Sequence, residues 1–257
     1  MTDLGQLAFW ALLTGGTPLV LASVPYLRTQ ISDRTIHLML GLSAGILFGL
    51  SFLDLLPESF EAAAELGLGT EFVAFGVAAG FLVLLVVERE LLGRAHSTGH
   101  AHAHEADGHT IQPFGTLALS ALMIHGLVDG FVIPLGFEIG PAVGTVILIA
   151  IALHQVPDSF AALAIGLSST RSRRGAIGFI LATAIDTPLG ILVGAAFAGV
   201  GAAFVPVGLA FSAGTFLFVS AADLIPELQH RTRSLLVTLS IVGGFGLVLA
   251  VSLGFPV

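Results

Sequence analysis

Apolar residues fill this chain in long blocks, and its polar positions fall into short clusters between them. Eight blocks of about 20 residues or more can be drawn, near the length an α-helix needs to cross a bilayer core. They cover Leu4–Tyr26, Thr35–Leu56, Glu71–Val87, Phe114–Leu135, Val143–Leu167, Gly175–Val200, Phe204–Asp223 and Leu235–Phe255. Glu88-Arg89-Glu90 interrupts the third block at its end. Gly and Pro recur inside the blocks, which membrane helices tolerate better than soluble ones. The pattern predicts an all-α integral membrane protein of eight transmembrane helices, a single transmembrane domain over residues 1–257.

Composition strengthens this reading and adds an orientation. The chain is 55% apolar and 10% charged, with a mean hydropathy of +0.99, which excludes an ordinary soluble domain of this size. All nine basic residues are Arg, in a chain of net charge −8. Arg28 and Arg34 follow span one, and Arg89 and Arg94 close span three. Arg171, Arg173 and Arg174 follow span five, and Arg231 and Arg233 follow span seven. With eight spans, every Arg lies on one side, which the positive-inside rule makes cytoplasmic. Six or seven spans would scatter them to both sides. Both termini then face outward, beside an acidic outer loop holding Glu58, Glu61, Glu65 and Glu71. The Met-Thr-Asp-Leu-Gly start has no basic stretch of the signal-peptide kind, so the first block is read as a retained helix. The expected location is the plasma membrane of a prokaryotic cell.

The pentapeptide Asp54-Leu-Leu-Pro-Glu58 ends span two, and Asp223-Leu-Ile-Pro-Glu227 ends span seven. On the arginine topology these helices run in opposite directions. That suggests an inverted repeat, with spans one to three mirrored by six to eight around a central pair. The alternative is that Pro simply ends each span.

The central pair carries the candidate chemistry. His125 and Asp129 in span four, and His154 and Asp158 in span five, are each four residues apart, hence on one helix face. A carboxylate at bilayer depth costs about 2.5–3.5 kcal/mol even on insertion scales. In antiparallel neighbours His125 comes level with Asp158, and His154 with Asp129. Four ligands can then hold a divalent ion, since imidazole nitrogen and carboxylate oxygen both suit zinc. With no Cys in the chain, thiolate is not an option. The competing account is two satisfied intrahelical polar contacts. Gly126 and Gly130 allow another helix close to this pair. Asp186, followed by Thr187-Pro188 near the middle of span six, is an auxiliary ligand, a proton acceptor, or simply a hydrogen-bond partner of Thr187 or another helix.

On these features the chain resembles the ZIP (Zrt-, Irt-like) divalent metal transporters, over nearly its whole length. The likeness rests on eight spans with outward termini and on Leu-Leu-Pro-Glu closing span two. It also rests on His125-x-x-x-Asp129-Gly130, His154-x-x-Pro157, a His-rich loop, and Ala213-Gly-Thr-Phe-Leu-Phe218 leading to Asp223-Leu-Ile-Pro-Glu227. The resemblance implies a 3+2+3 helix bundle, a path lined by spans two, four, five and seven, a metal centre between four and five, and import. It also implies a homodimer. The family usually has Asn after the span-four His and an acidic residue after the span-five His; here these are Gly126 and Gln155. The departures imply one metal subsite on His125, Asp129, His154 and Asp158, with the second weakened or lost. Gln155 can still offer a neutral carbonyl oxygen, and Asp186 can supply part of the missing charge.

Between spans three and four, residues 94–112 form a cytoplasmic loop carrying His96, His100, His102, His104 and His109. Such a tract buffers or senses delivered metal, or is a solvated linker. The leading function is therefore alternating-access transport of a divalent cation around the midplane site. Zinc is the first choice, and the ligand set leaves cadmium, iron, manganese and cobalt open. Membrane lipid and divalent ions are the expected partners; nucleic acid is not. The alternatives are a membrane metal sensor without turnover, or an exporter of the cation diffusion facilitator type. The latter normally has six spans and a soluble C-terminal metal-binding domain. An enzyme is not expected: no His-Glu-x-x-His is present, and no P-loop lysine for ATP.

Overall fold

The computed structural model describes residues 3–21, 32–97, 113–170, 172–197, 199, 204–232 and 234–254. Every described element is helical: α1 (Leu4–Leu21), α2 (Asp33–Leu50), α3 (Leu56–Glu65), α4 (Thr70–Ser97), α5 (Pro113–Ile139), α6 (Pro141–Thr170), α7 (Arg173–Ala196), α8 (Phe204–Leu217), α9 (Ile225–Arg231) and α10 (Leu235–Gly254). Two of the rods are double. A π turn at Ser51–Leu55 fuses α2 to α3, and another at Phe218–Leu224 fuses α8 to α9. Among the described residues, six helices are long and apolar enough to cross a membrane, and Leu4–Val20 and Leu235–Ala250 are shorter apolar ones.

The double rods correct the expected span ends. Spans two and seven do not stop at Leu56 and Asp223; they run on to Glu65 and Arg231. Pro57 and Pro226 have no N–H to continue the usual ladder. The chain answers by widening the turn: Leu56 N–H reaches back five residues to Ser51 O, and Ile225 N–H to Ser220 O. The Ser51 hydroxyl donates to Leu47 O at 2.9 Å, and the Ser220 hydroxyl to Phe216 O at 2.7 Å. The shared geometry exposes a longer likeness than the pentapeptide. Residues 43–58 and 212–227 both begin Ser-Ala-Gly, both place Ser six residues before Pro, and agree at eight positions. Span three also runs past Val87, as α4 continues through Glu88-Arg89-Glu90 to Ser97. Glu and Arg are good helix formers, and Arg89 and Glu90 are exposed, so nothing there breaks the helix.

Packing centres on α5, which touches α6, α7 and α8. The α2 rod packs on α10 and α6, α4 on α8, and α1 on α7 and α6. Between α5 and α7 the backbones close on one another: a side chain at Gly130 would strike Thr187 O, and one at Gly190 would strike Leu127 O. The expected close approach at Gly130 is thus made to α7. Two matched glycines do the same elsewhere. Gly45 lies on the Ile241 carbonyl of α10, and Gly214 on the Val77 carbonyl of α4. Gly214→Leu should therefore force α8 off α4 and lower the melting temperature in detergent by several degrees or abolish expression. Gly243→Leu, with no atom within 4 Å of its added Cβ, should melt like the wild type.

Gly140 alone joins α5 to α6, making a helical hairpin. Counting from Gly140, His125 lies fifteen residues back and Asp158 eighteen on, so the two stand at similar heights.

Candidate metal centre

Three residues of the hairpin converge. His125 and Asp129 face the same way from successive turns of α5, with Nε2 2.7 Å from Asp129 Oδ2. Across the hairpin, Asp158 Oδ2 lies 4.0 Å from the same His125 Nε2. One ligand atom from each residue falls within 4.8 Å of the others. All three are buried, at 1%, 1% and 6% exposure. Two ionised carboxylates against one imidazole leave the cluster formally negative, and burying unbalanced charge is costly. A divalent cation removes that cost by bonding to all three.

Tetrahedral zinc ligands at about 2.1 Å stand about 3.4 Å from one another. The His125–Asp129 pair is now closer than that, and the His125–Asp158 pair wider. A cation would open the first contact and draw Asp158 inward, each by roughly 0.6 Å. Side-chain rotation within staggered wells covers such shifts.

A second layer holds the first. From α8, Ser212 Oγ donates to Asp129 Oδ1 at 2.7 Å, and Thr215 Oγ1 lies 3.1 Å from His125 Nδ1. The Phe216 ring stacks on the His125 ring, centroids 3.4 Å apart and planes 28° from parallel. On the other side, Gln155 Nε2 donates to Thr187 Oγ1 at 2.6 Å, and the Thr187 hydroxyl and N–H both donate to Asp186 Oδ1. Asp186 occupies the space beside Gly126, where an added Cβ would lie 2.5 Å from its Cγ.

Of the residues singled out by spacing, His125, Asp129 and Asp158 come together. Thr187 joins Gln155 to Asp186, which lies against Gly126 beside His125. Asp186 makes the local Thr187 bonds that sequence had offered as one of its readings. Gln155 uses its amide nitrogen on Thr187, which identifies the half of that side chain not offered to a metal. The His154 side chain lies outside the described residues, as do His100, His102, His104, His109 and the side chain of His96. Sequence reasoning named Thr187 only as a partner of Asp186, and missed Ser212, Thr215 and Phe216 as partners of the site. Their signal was the three- and four-residue spacing of Ser212, Thr215 and Phe216, which puts all three on one face of α8.

Buried acidic and imidazole groups meeting amid membrane-length helices define a membrane protein with an enclosed site suited to a cation. The chain belongs to the ZIP zinc transporter family, whose model matches residues 4–113 and 89–252. It is 26% identical over 232 residues to the zinc transporter YKE4 of Saccharomyces cerevisiae, covering 81% of this chain and 66% of that protein. It is 28% identical over 226 residues to the zinc transporter ZIPB of Bordetella bronchiseptica, covering 85% of this chain and 71% of the relative. Against the zinc transporter ZIP13 of Pongo abelii it is 28% identical over 220 residues, covering 80% and 62%. The match spans only 34% of the rat zinc transporter SLC39A7, so the chain accounts for part of the length of several relatives.

Proposed function

We propose that this chain transports a divalent metal cation, zinc in the first place, across the plasma membrane and into the cytoplasm. The observation that carries the proposal is the buried convergence of His125, Asp129 and Asp158. His154, one residue before Gln155 on α6, is the fourth proposed ligand. The site takes one ion. Gly126 brings no ligand, and Asp186 is occupied by Thr187. The chain does no covalent chemistry on its cargo.

Eight spans and an inverted repeat fit this role. The agreement of residues 43–58 with 212–227 supports the repeat, together with the paired π turns. The packing is also paired: α2 on α10 answers α4 on α8, and α2 on α6 answers α8 on α5. Alternating access then consists of the double rods rocking against the hairpin, opening the site to one side at a time. The arginine distribution supports outward termini.

The test is zinc uptake by the purified protein in liposomes, read with an enclosed indicator. Saturable, protein-dependent influx is expected. Tight zinc binding with no flux would replace transport by the sensor reading. Removing residues 96–109 should shift apparent affinity and leave transport in place. If that deletion stopped uptake in a folded protein, buffering would be the wrong role for the loop.

A further inference from the structure

Ser212, Thr215 and Phe216 all touch the two α5 residues of the site, although none is itself a metal ligand there. Most buried hydroxyls in this bundle turn back into their own helix: Ser51 to Leu47 O, Ser159 to Gln155 O, Ser169 to Ile165 O, Ser220 to Phe216 O. Ser212 does otherwise, crossing from α8 to Asp129 Oδ1 at 2.7 Å. Oδ2 is thereby the oxygen turned toward His125.

Thr215 carries a single hydroxyl proton. Its Oγ1 lies 2.7 Å from Ser212 O and 3.1 Å from His125 Nδ1. A carbonyl oxygen can only accept, so the shorter contact takes the proton. The Thr215 oxygen therefore meets Nδ1 as an acceptor, and Nδ1 must bear the hydrogen. Nε2 is then the ring nitrogen turned to the carboxylates: it makes the 2.7 Å contact with Asp129 Oδ2 and faces Asp158 Oδ2, and a cation entering between them takes the place of that contact. The stacked Phe216 ring opposes a flip that would exchange the two nitrogens.

We infer that Thr215 and Ser212 are positioning residues for metal carriage. Thr215 fixes the His125 tautomer so that Nε2 meets the ion, and Ser212 turns Asp129 Oδ2 to the same point. The inference rests on the metal reading of the site. Outer partners of metal ligands are worth about 10- to 100-fold in affinity.

The experiment uses full-length protein in detergent with ¹⁵N-labelled histidine and ¹¹³Cd²⁺ as the metal. His125 signals are assigned by their loss in His125→Gln. Cadmium coupled to His125 Nε2, with a hydrogen on Nδ1, is the expected result. Thr215→Val should raise the cadmium dissociation constant by about 10-fold or more and blur that pattern. Thr215→Ser should restore both, because it keeps the hydroxyl. Cadmium on Nδ1, an unaltered affinity in Thr215→Val, or failure of Thr215→Ser to rescue would each overturn the inference while leaving the metal site standing. If Thr215→Val does not fold, the wild-type coupling pattern decides. No cadmium-coupled His125 signal at all would overturn the metal reading, and this inference with it.

Discussion

His125→Ala in the reconstituted protein should cut zinc uptake at subsaturating metal by more than about 100-fold, beyond the usual range for an outer partner of a ligand. His125 is the shared vertex of the site: its Nε2 makes both the 2.7 Å contact to Asp129 and the 4.0 Å approach to Asp158. Removing the imidazole takes away one of the two proposed nitrogen ligands and leaves the buried carboxylates of Asp129 and Asp158 without it. It also opens a gap against Phe216, whose ring loses its stacked partner. A fold defect is separable from a site defect. Asp129→Asn and Asp158→Asn keep shape and volume, so they should melt close to the wild type and still lose most uptake. Wild-type flux in His125→Ala and Asp158→Asn together would remove the site from the transport path.

Gly126→Asn should be nearly as damaging, although it restores the family's usual residue. Its Cβ would lie within 2.5–2.6 Å of three atoms of the Asp186 carboxyl group. Asp186 would have to leave Thr187, and Thr187 would lose the arrangement in which it receives Gln155. Overpacking of this kind costs about 1–3 kcal/mol. The expected readout is a lower melting temperature and a clear fall in uptake. Adding Asp186→Ala should recover melting and part of the flux, because it vacates the space. The missing Asn and the α7 carboxylate are then one coupled choice. Wild-type uptake by Gly126→Asn alone would show that they are independent.

The hairpin was readable in advance, and the reason is local. A four-residue spacing fixes which side chains share a face, and a one-residue link at Gly140 fixes which heights meet. The apolar blocks located the rods for a similar reason, since bilayer thickness imposes a length. Span ends were harder. Whether Pro57 stops a helix or widens one turn depends on whether a carbonyl five residues back can take the next N–H, and no hydropathy pattern encodes that. The hydroxyls of the second layer were hidden for another reason. Ser and Thr in a helix normally bond to their own backbone, so nothing in the string distinguishes Ser212, which crosses to Asp129, from Ser220, which does not. Asp186 was visible as a costly buried acid. Its neighbour Gly126 was visible as a place of close helix approach and as a gap in a motif, and it took the packing of α5 on α7 to join it to Asp186.

Transport by the proposed route requires an ion between α5 and α6. An anomalous difference map at the zinc edge, from crystals of transport-competent protein grown with zinc, addresses this directly. It should show a peak about 2.0–2.2 Å from His125 Nε2 and from carboxylate oxygens of Asp129 and Asp158. A map with no peak at that point, from protein that still imports zinc, would contradict it.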